Sequence, residues 1–347
     1  MTSRERVLTA FEHREPDRVP CWCGASEGFW NKCRRVLALD DEGLREFFGD
    51  DFRRVWAGWT GPQPALEPGA TYATVFGVQR TGLGYGQPMS HPLAGAGLRE
   101  IHDYPWPDPA WVDPSGIRAA AAAWHGKYAV LGGDWSPFWH DAIDLMGMEE
   151  LLLRMYDEPH VVDALFGHLV DYYAAASQRI FDEAADVIDI FFFGNDLGSQ
   201  RGPLLGEAMF RRFLVPHLAR LVDLGHAYGL KVMMHCCGGF APLIPALIEI
   251  GLDGVHAVQP SCHGMDLRRL KADFGDRMVF NGAVDSHHVL IEGRPETVRE
   301  KTREVLEIMM PGGGYVAGAS HDTILEETPV ENVLAMFEAI REFGRYR

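Results

Sequence analysis

Lys231-Val232-Met233-Met234-His235-Cys236-Cys237-Gly238-Gly239 is a short apolar run that breaks into a histidine, two cysteines and two glycines. A helical pattern at 241–250 and a second apolar run at Gly254–Val258 follow it. Strand, crossover helix and strand in that order make a parallel βαβ unit. Reading outward, Val19–Cys23, Asp51–Trp56, Tyr128–Gly133, Val187–Phe193, Met278–Ala283 and Tyr315–Ala319 have the same character, which brings the strands to eight. Amphipathic stretches at about 145–156, 159–184, 206–228, 266–274, 295–309 and 330–344 have the length of crossover helices. Eight strands alternating with helices predict an α/β fold, a (β/α)8 TIM barrel, as a single domain over residues 1–347. The rhythm lapses at about 58–126, a Gly- and Pro-rich stretch with Thr71–Arg80 as a hairpin. We read it as an insertion after the second strand, lying over the barrel mouth. Thr2-x-x-Glu5 ahead of Val7, Leu8 and Phe11 forms a capping box, a packing feature without chemistry.

Charge narrows the partners. With 32 basic against 49 acidic residues the chain carries −17, which disfavours nucleic acid and anionic membranes, both of which bind through neutralised phosphates. No apolar stretch is long enough to span a bilayer. The opening MTSRERVLTAFEH lacks the basic and apolar regions of a secretory signal, so the cytoplasm is expected. Cys21, Cys23, Cys33, Cys236, Cys237 and Cys262 then read as free thiols or metal ligands. A small-molecule substrate is the expected partner, and a homodimer is compatible with the sequence.

Barrel enzymes place reacting groups at the C-terminal ends of strands. Those ends here read Cys23, Trp56, Asp134, Asn195 with Asp196, His235 with Cys237, Gln259, Asp285, and Ser320-His321-Asp322. Alternate strand residues share a face, so His235 and Cys237 can converge on one ion while Cys236 points toward the helices. Imidazole with thiolate is zinc chemistry, and a catalytic zinc keeps three protein ligands and an open position. His321 is the expected third ligand, with Asp196, Asp285 and Cys262 as competitors. A bare His-x-Cys is a weak pattern that chance supplies readily.

Asp134, Asp196 and Asp285 are the candidate catalytic acids. Trp56, Trp135, His140, Asn195 and Gln259 are the candidate substrate contacts. In Gly132–His140, Trp135, Phe138 and Trp139 can wall a planar ligand, although aromatics at strand ends are as often core. Asp196 can act as a general base or bind a substrate cation, and the plainer reading pairs it with Arg201. His287 and His288 read as exposed or structural. The chain has no P-loop, no G-x-S-x-G elbow and no histidine motif of the kind that binds a corrinoid.

Arg4-Glu5-Arg6-Val7 through Asp17-Arg18-Val19-Pro20, Asp196–Gly202, His235-x-Cys237-Gly238, and Gly312-Gly313-Gly314-Tyr315 through Thr328–Asn332 together carry a family likeness. Over nearly its full length the chain resembles the uroporphyrinogen decarboxylase superfamily. The resemblance implies a (β/α)8 barrel and one of two chemistries, porphyrinogen decarboxylation or methyl transfer involving a corrinoid protein. The decarboxylases carry an arginine-rich loop at the first strand. Here Pro20–Trp30 has no basic residue before Lys32, so a polycarboxylate would meet an acidic, apolar mouth. The methyltransferases hold zinc on a His-x-Cys pair plus a late cysteine, and His321 falls near that third position. The expectation is a zinc-dependent methyltransferase exchanging a methyl group between a small substrate and a corrinoid on a partner protein. The alternative is a metal-independent decarboxylase or lyase acting on another carboxylated substrate through Asp134, Asp196 or Asp285.

Overall fold

Side-chain alternation along each strand sorts the interior of the sheet from its outer face, and two separate apolar clusters record the sorting. Phe52, Ala129, Leu131, Ile190, Phe192, Met233, Val279 and Val316 form one cluster. Their strand neighbours Val130, Phe191, Phe193, Val232, Met234, Phe280 and Tyr315 belong to the other, with the helices. Period-2 alternation produces this division only if the sheet curls around the first set.

The computed structural model describes residues 1–82 and 86–346. Among these, seven strands make the main sheet: β1 Phe52–Arg54, β2 Ala129–Gly132, β3 Ile190–Gly194, β4 Lys231–His235, β5 Gly254–Val258, β6 Val279–Val284 and β7 Tyr315–Ala319. They pair in sequence order, every neighbour parallel. Helices Pro159–Ala184, Val215–Ala227, Leu267–Phe274, Pro295–Met309 and Val330–Phe343 lie where helical periodicity placed them. This is a TIM-barrel-like sheet with helices outside.

The segment Val19–Cys23, expected as a regular strand, makes only bridge contacts. Pro20 has no N–H to give to a ladder, which restricts the pairing. Its carbonyl accepts from Ala317 N (2.8 Å), Trp22 N donates to Ala317 O (2.9 Å), and Cys21 O accepts from Asp51 N (3.0 Å). One short segment thus bonds to β7 on one side and to the residue preceding β1 on the other, joining the two edges of the sheet.

Between β1 and β2 the chain forms small antiparallel pieces. Tyr72–Ala73 pairs with Gln79–Thr81, within and just beyond the expected hairpin, and Gly58–Trp59 pairs with Val112–Asp113. At the opposite end, helix Ser3–Phe11 starts on the expected capping box and sends Val7 and Phe11 into the interior cluster. No helix among the described residues is long and apolar enough to cross a membrane.

Asp51 organises that lower end. It is fully buried and its carboxylate accepts from Arg6 (2.9 Å), from both terminal nitrogens of Arg18 (2.8 and 2.9 Å) and from Cys21 N (2.8 Å). Breaking a buried pair strands the remaining charge. Asp51→Asn is therefore expected to lower the unfolding free energy by about 3–5 kcal/mol in urea denaturation. A loss no larger than that of an exposed ion pair would show that the edge segment is held by something else.

Candidate metal centre

His235 closes β4 on the same parity as Met233, so it faces the interior, whereas Cys236 shares the outer face with Met234. Cys236 is buried there, its sulfur accepting from Leu197 N (3.4 Å). Beyond the strand the backbone turns, and Cys237 Sγ comes back to 3.1 Å from His235 Nε2. Asp196, two residues past β3, reaches across with Oδ1 3.3 Å from His235 Nε2 and 2.8 Å from Cys237 N, which donates to it. Asp196, His235 and Cys237 thus present one oxygen, one nitrogen and one sulfur, all within 4.8 Å of one another, in an arrangement able to hold a metal ion.

Supports surround this trio. His140 Nε2 stands 3.2 Å from Asp196 Oδ2, so the two oxygens of one carboxylate face two histidines. His235 Nδ1 is 3.0 Å from His256 Nδ1, and Asp322 Oδ1 lies 4.0 Å from the same His256 atom. His235, His256 and Asp322 form a second close group of donor atoms. Gln259 Oε1 accepts from Gly238 N (2.6 Å) and so fixes the turn after Cys237.

Electrostatics follow from burial and neighbours. Burial opposes charge on His235, yet Cys237 and the Asp196 carboxylate outweigh it and push the imidazole pKa up. Burial would raise Asp196, but hydrogen bonds from His140 and His235 hold it far below the usual carboxylate range. Burial, with the charge of His235, brings His256 down to about 3, which keeps that ring neutral. Its Nε2 is buried without a hydrogen-bond partner.

Two cavities meet at Trp135, whose ring lies 5.8 Å from that of His235. The mouth cavity, about 380 Å³, is lined by Trp22, Arg54, Trp56, Trp135, Phe192 and Asp322, with Arg45, Asp50 and Arg53 at its side. The acidic, apolar mouth expected from Pro20–Trp30 is corrected here: three arginines from after that loop reach it. Arg45 pairs with Asp50 (3.1 Å), Arg53 with Glu42 (2.8 Å), and the Arg54 guanidinium lies 3.6 Å over the Trp56 ring. The second cavity, about 340 Å³, shares Trp56 and Trp135 with the first and adds Asp134 and Asp141. Burial pushes Asp134 up, and Asp141 up to about 7 despite the hydrogen bond from Tyr173.

The expected site residues divide accordingly. Asp196, His235, Cys237, His140 and Gln259 come together, and Trp56, Trp135 and Asp134 line the adjoining cavities. Asn195 is fully buried and structural: its oxygen accepts from Trp139 N (2.9 Å) and its nitrogen donates to Ser136 O (3.2 Å). Phe138 and Trp139 are core. Asp285 caps the helix after β6, accepting from His287 N and His288 N, and lines an outer cleft with Lys301. His321 is not in either group of close donors; the turn after β7 directs its Nδ1 to the Thr323 backbone (3.0 Å to O) and sends Asp322 toward His256. Cys262 points to Gln259 Oε1 (3.6 Å) and is likewise outside the groups. Sequence reading missed His256, Arg54 and Asp141, and it noted Asp322 only as the neighbour of His321. The parity of β5 offered a signal for His256, since it pairs with His235 in register.

A family model described as uroporphyrinogen decarboxylase (URO-D) matches residues 115–343. A uroporphyrinogen decarboxylase of Methylococcus capsulatus is 26% identical over 271 residues, 75% of this chain and 73% of that one. A methylcobamide:CoM methyltransferase of Methanosarcina acetivorans is 22% identical over 55% of this chain and 52% of its own length. A methylated-thiol–coenzyme M methyltransferase of Methanosarcina mazei is 22% identical over 75% and 67%. A solved methyltransferase structure from Methanosarcina mazei superposes with a TM-score of 0.69 over 99% of both chains at 18% identity, which speaks to the fold.

Two outcomes follow from this geometry. Gly238 has φ +85°, and a Cβ there would stand 2.4 Å from Gly198 C, so Gly238→Ala must open the gap between two site loops. Left-handed strain of about 1–2 kcal/mol plus that clash should lower the melting temperature; an unchanged variant would show that the two loops have slack. For Asp141, the folded pKa near 7 lies above its unfolded value. Its contribution is fully present below the unfolded pKa and is lost as pH rises through about 7. Asp141→Asn should therefore flatten the decline in unfolding free energy between the two pKa values, and parallel wild-type and variant profiles would contradict the assignment.

Proposed function

Because the chain belongs to the uroporphyrinogen decarboxylase (URO-D) family, we propose that it is a zinc-dependent methyltransferase. It moves a methyl group between a small substrate and a corrinoid carried by a partner protein. The observation that carries this reading is the convergence of Asp196, His235 and Cys237 at the strand ends. Nitrogen and sulfur ligands on a tetrahedral zinc stand roughly 3.5 Å apart, given bonds of about 2.0 and 2.3 Å. His235 Nε2 is 3.1 Å from Cys237 Sγ and 3.3 Å from Asp196 Oδ1, so the donors need to spread only slightly. Three protein donors leave a position for substrate. Two relatives named for methyl transfer to coenzyme M, one from a methylcobamide, support the corrinoid partner.

Bound zinc would act as a Lewis acid, holding a substrate thiol as thiolate or polarising the atom that bears the methyl group. The chain's own residues do the rest. His256, neutral, accepts at Nδ1 from His235 Nδ1–H and so leaves Nε2 of His235 as the ligand atom. His140 holds the second oxygen of Asp196, turning Oδ1 inward. Trp135, tilted 5.8 Å from the His235 ring, keeps one side of the centre dry. Asp134 and Trp56 bound the space where substrate sits, and Gln259 holds the turn that carries Cys237.

The second reading, a metal-free lyase acting on a carboxylated substrate, draws on Arg45, Arg53 and Arg54 at the mouth and on the decarboxylase relatives. Arg45 and Arg53 are already matched by Asp50 and Glu42, which weakens it.

Metal analysis of protein purified without chelator under reducing conditions separates the two. The methyltransferase reading expects near-stoichiometric zinc, lost in Asp196→Ala and Cys237→Ala and kept in His321→Ala. His256→Ala should weaken zinc binding by roughly 10–100-fold, as loss of an outer partner does. Zinc that survives Asp196→Ala but not His321→Ala would move the third ligand to His321. A zinc-free wild type that decarboxylates would favour the second reading.

A further inference from the structure

The cavity of about 340 Å³ that Trp135 separates from His235 is walled by aromatic rings and carries two carboxylates. Trp59, Phe76, Trp135 and Tyr172 line it together with Asp134 and Asp141. Among the described residues that line it there is no lysine or arginine. Two guanidiniums act on these carboxyls from outside the lining: Arg54, stacked on Trp56 and Trp135 from the mouth cavity, favours ionised Asp134, and Arg80, paired with Asp144, favours ionised Asp141, but burial outweighs both.

Such a lining suits one class of ligand. A neutral apolar molecule would gain from the rings but would leave two carboxyls facing it, Asp141 with a hydrogen bond from Tyr173 and Asp134 with one from Ser136 N, and no cation in the lining itself. An anion would be repelled. A hydrated small cation would lose its water without receiving enough oxygen ligands in exchange. A methylated ammonium ion matches every part: its methyl groups are apolar, its charge is spread over them, and aromatic faces within about 6 Å attract it. The carboxylates supply the counter-charge without requiring an N–H donor.

We propose that this cavity binds a methylated ammonium compound, with Asp134 and Asp141 as counter-ions and the ring of aromatic side chains as the cage. Burial raises the pKa of both carboxyls, and a bound cation would favour their ionised forms. Trp135 belongs to the cage and also faces His235, so a ligand held here sits next to the metal centre. The inference rests on the methyltransferase reading only in making this ligand the substrate.

The test needs neither metal nor corrinoid. Choline and its uncharged carbon isostere, in which carbon replaces the quaternary nitrogen, are titrated calorimetrically into the full-length protein at matched ionic strength. Choline should bind at least tenfold more tightly and quench tryptophan fluorescence. Asp134→Asn combined with Asp141→Asn should erase that preference and leave binding of the isostere within twofold; Trp59→Ala should weaken choline if the double variant does not fold. Equal affinity for the two probes in the wild type, or binding of neither, overturns the proposal. Choline selectivity without methyl transfer from any methylated donor would instead remove the methyltransferase reading and keep the cage. Transfer from neutral thioethers or ethers without choline binding would remove the cage and keep the transferase.

Discussion

Everything at the upper rim depends on a carboxylate at the lower one. Asp51 sits just before β1, fully buried, and gathers Arg6 from the first helix, Arg18, and the backbone of Cys21. The segment it grips reaches Ala317 on β7, so this ion cluster holds the two edges of the sheet in register. A buried and a part-buried guanidinium around one buried carboxylate are worth keeping because their removal strands charge in the interior. Strand ends can converge on a point only while that ring of strands stays closed.

Convergence is then a matter of parity. His235 lies on the inner face because Met233 does, and Cys236 is on the outer face because Met234 is. Asp196 arrives from the neighbouring strand because β3 and β4 pair in register, His235 against Gly194. The glycines leave room for this: Gly198 and Gly238 are in backbone contact, and Gly194 lies under the Trp135 ring, where any side chain would collide.

Much of this was legible in the residues. Seven of eight expected strands form, and the long helix at 159–184 appears with its predicted limits, because apolar periodicity over such lengths leaves little choice. Val19–Cys23 departed from the expectation because Pro20 withholds a donor. Within the site, alternation placed His235 and Cys236 on opposite faces; the expected strand to Cys237 stops at His235, and the turn after it, not alternation, carries Cys237 to His235. The directions of His321, Asp322 and Asp285 follow from turns after strand ends, which alternation does not encode: Asp285 caps a helix, His321 Nδ1 turns to the Thr323 backbone and Asp322 lies toward His256. Asp141 was hidden inside a helical stretch, and Arg54 inside a strand whose last residues alternate toward the mouth. Tertiary proximity, which no local pattern encodes, brought them to the site.

The first helix deserves a last consequence. With Val7 and Phe11 wedged among the interior side chains, the barrel is stoppered at its base and behaves as a cup rather than a conduit. Whatever enters must leave by the same door. A small ligand at the strand ends can therefore arrive and leave only across the rim, and anything seated on the rim would hold it in or keep it out.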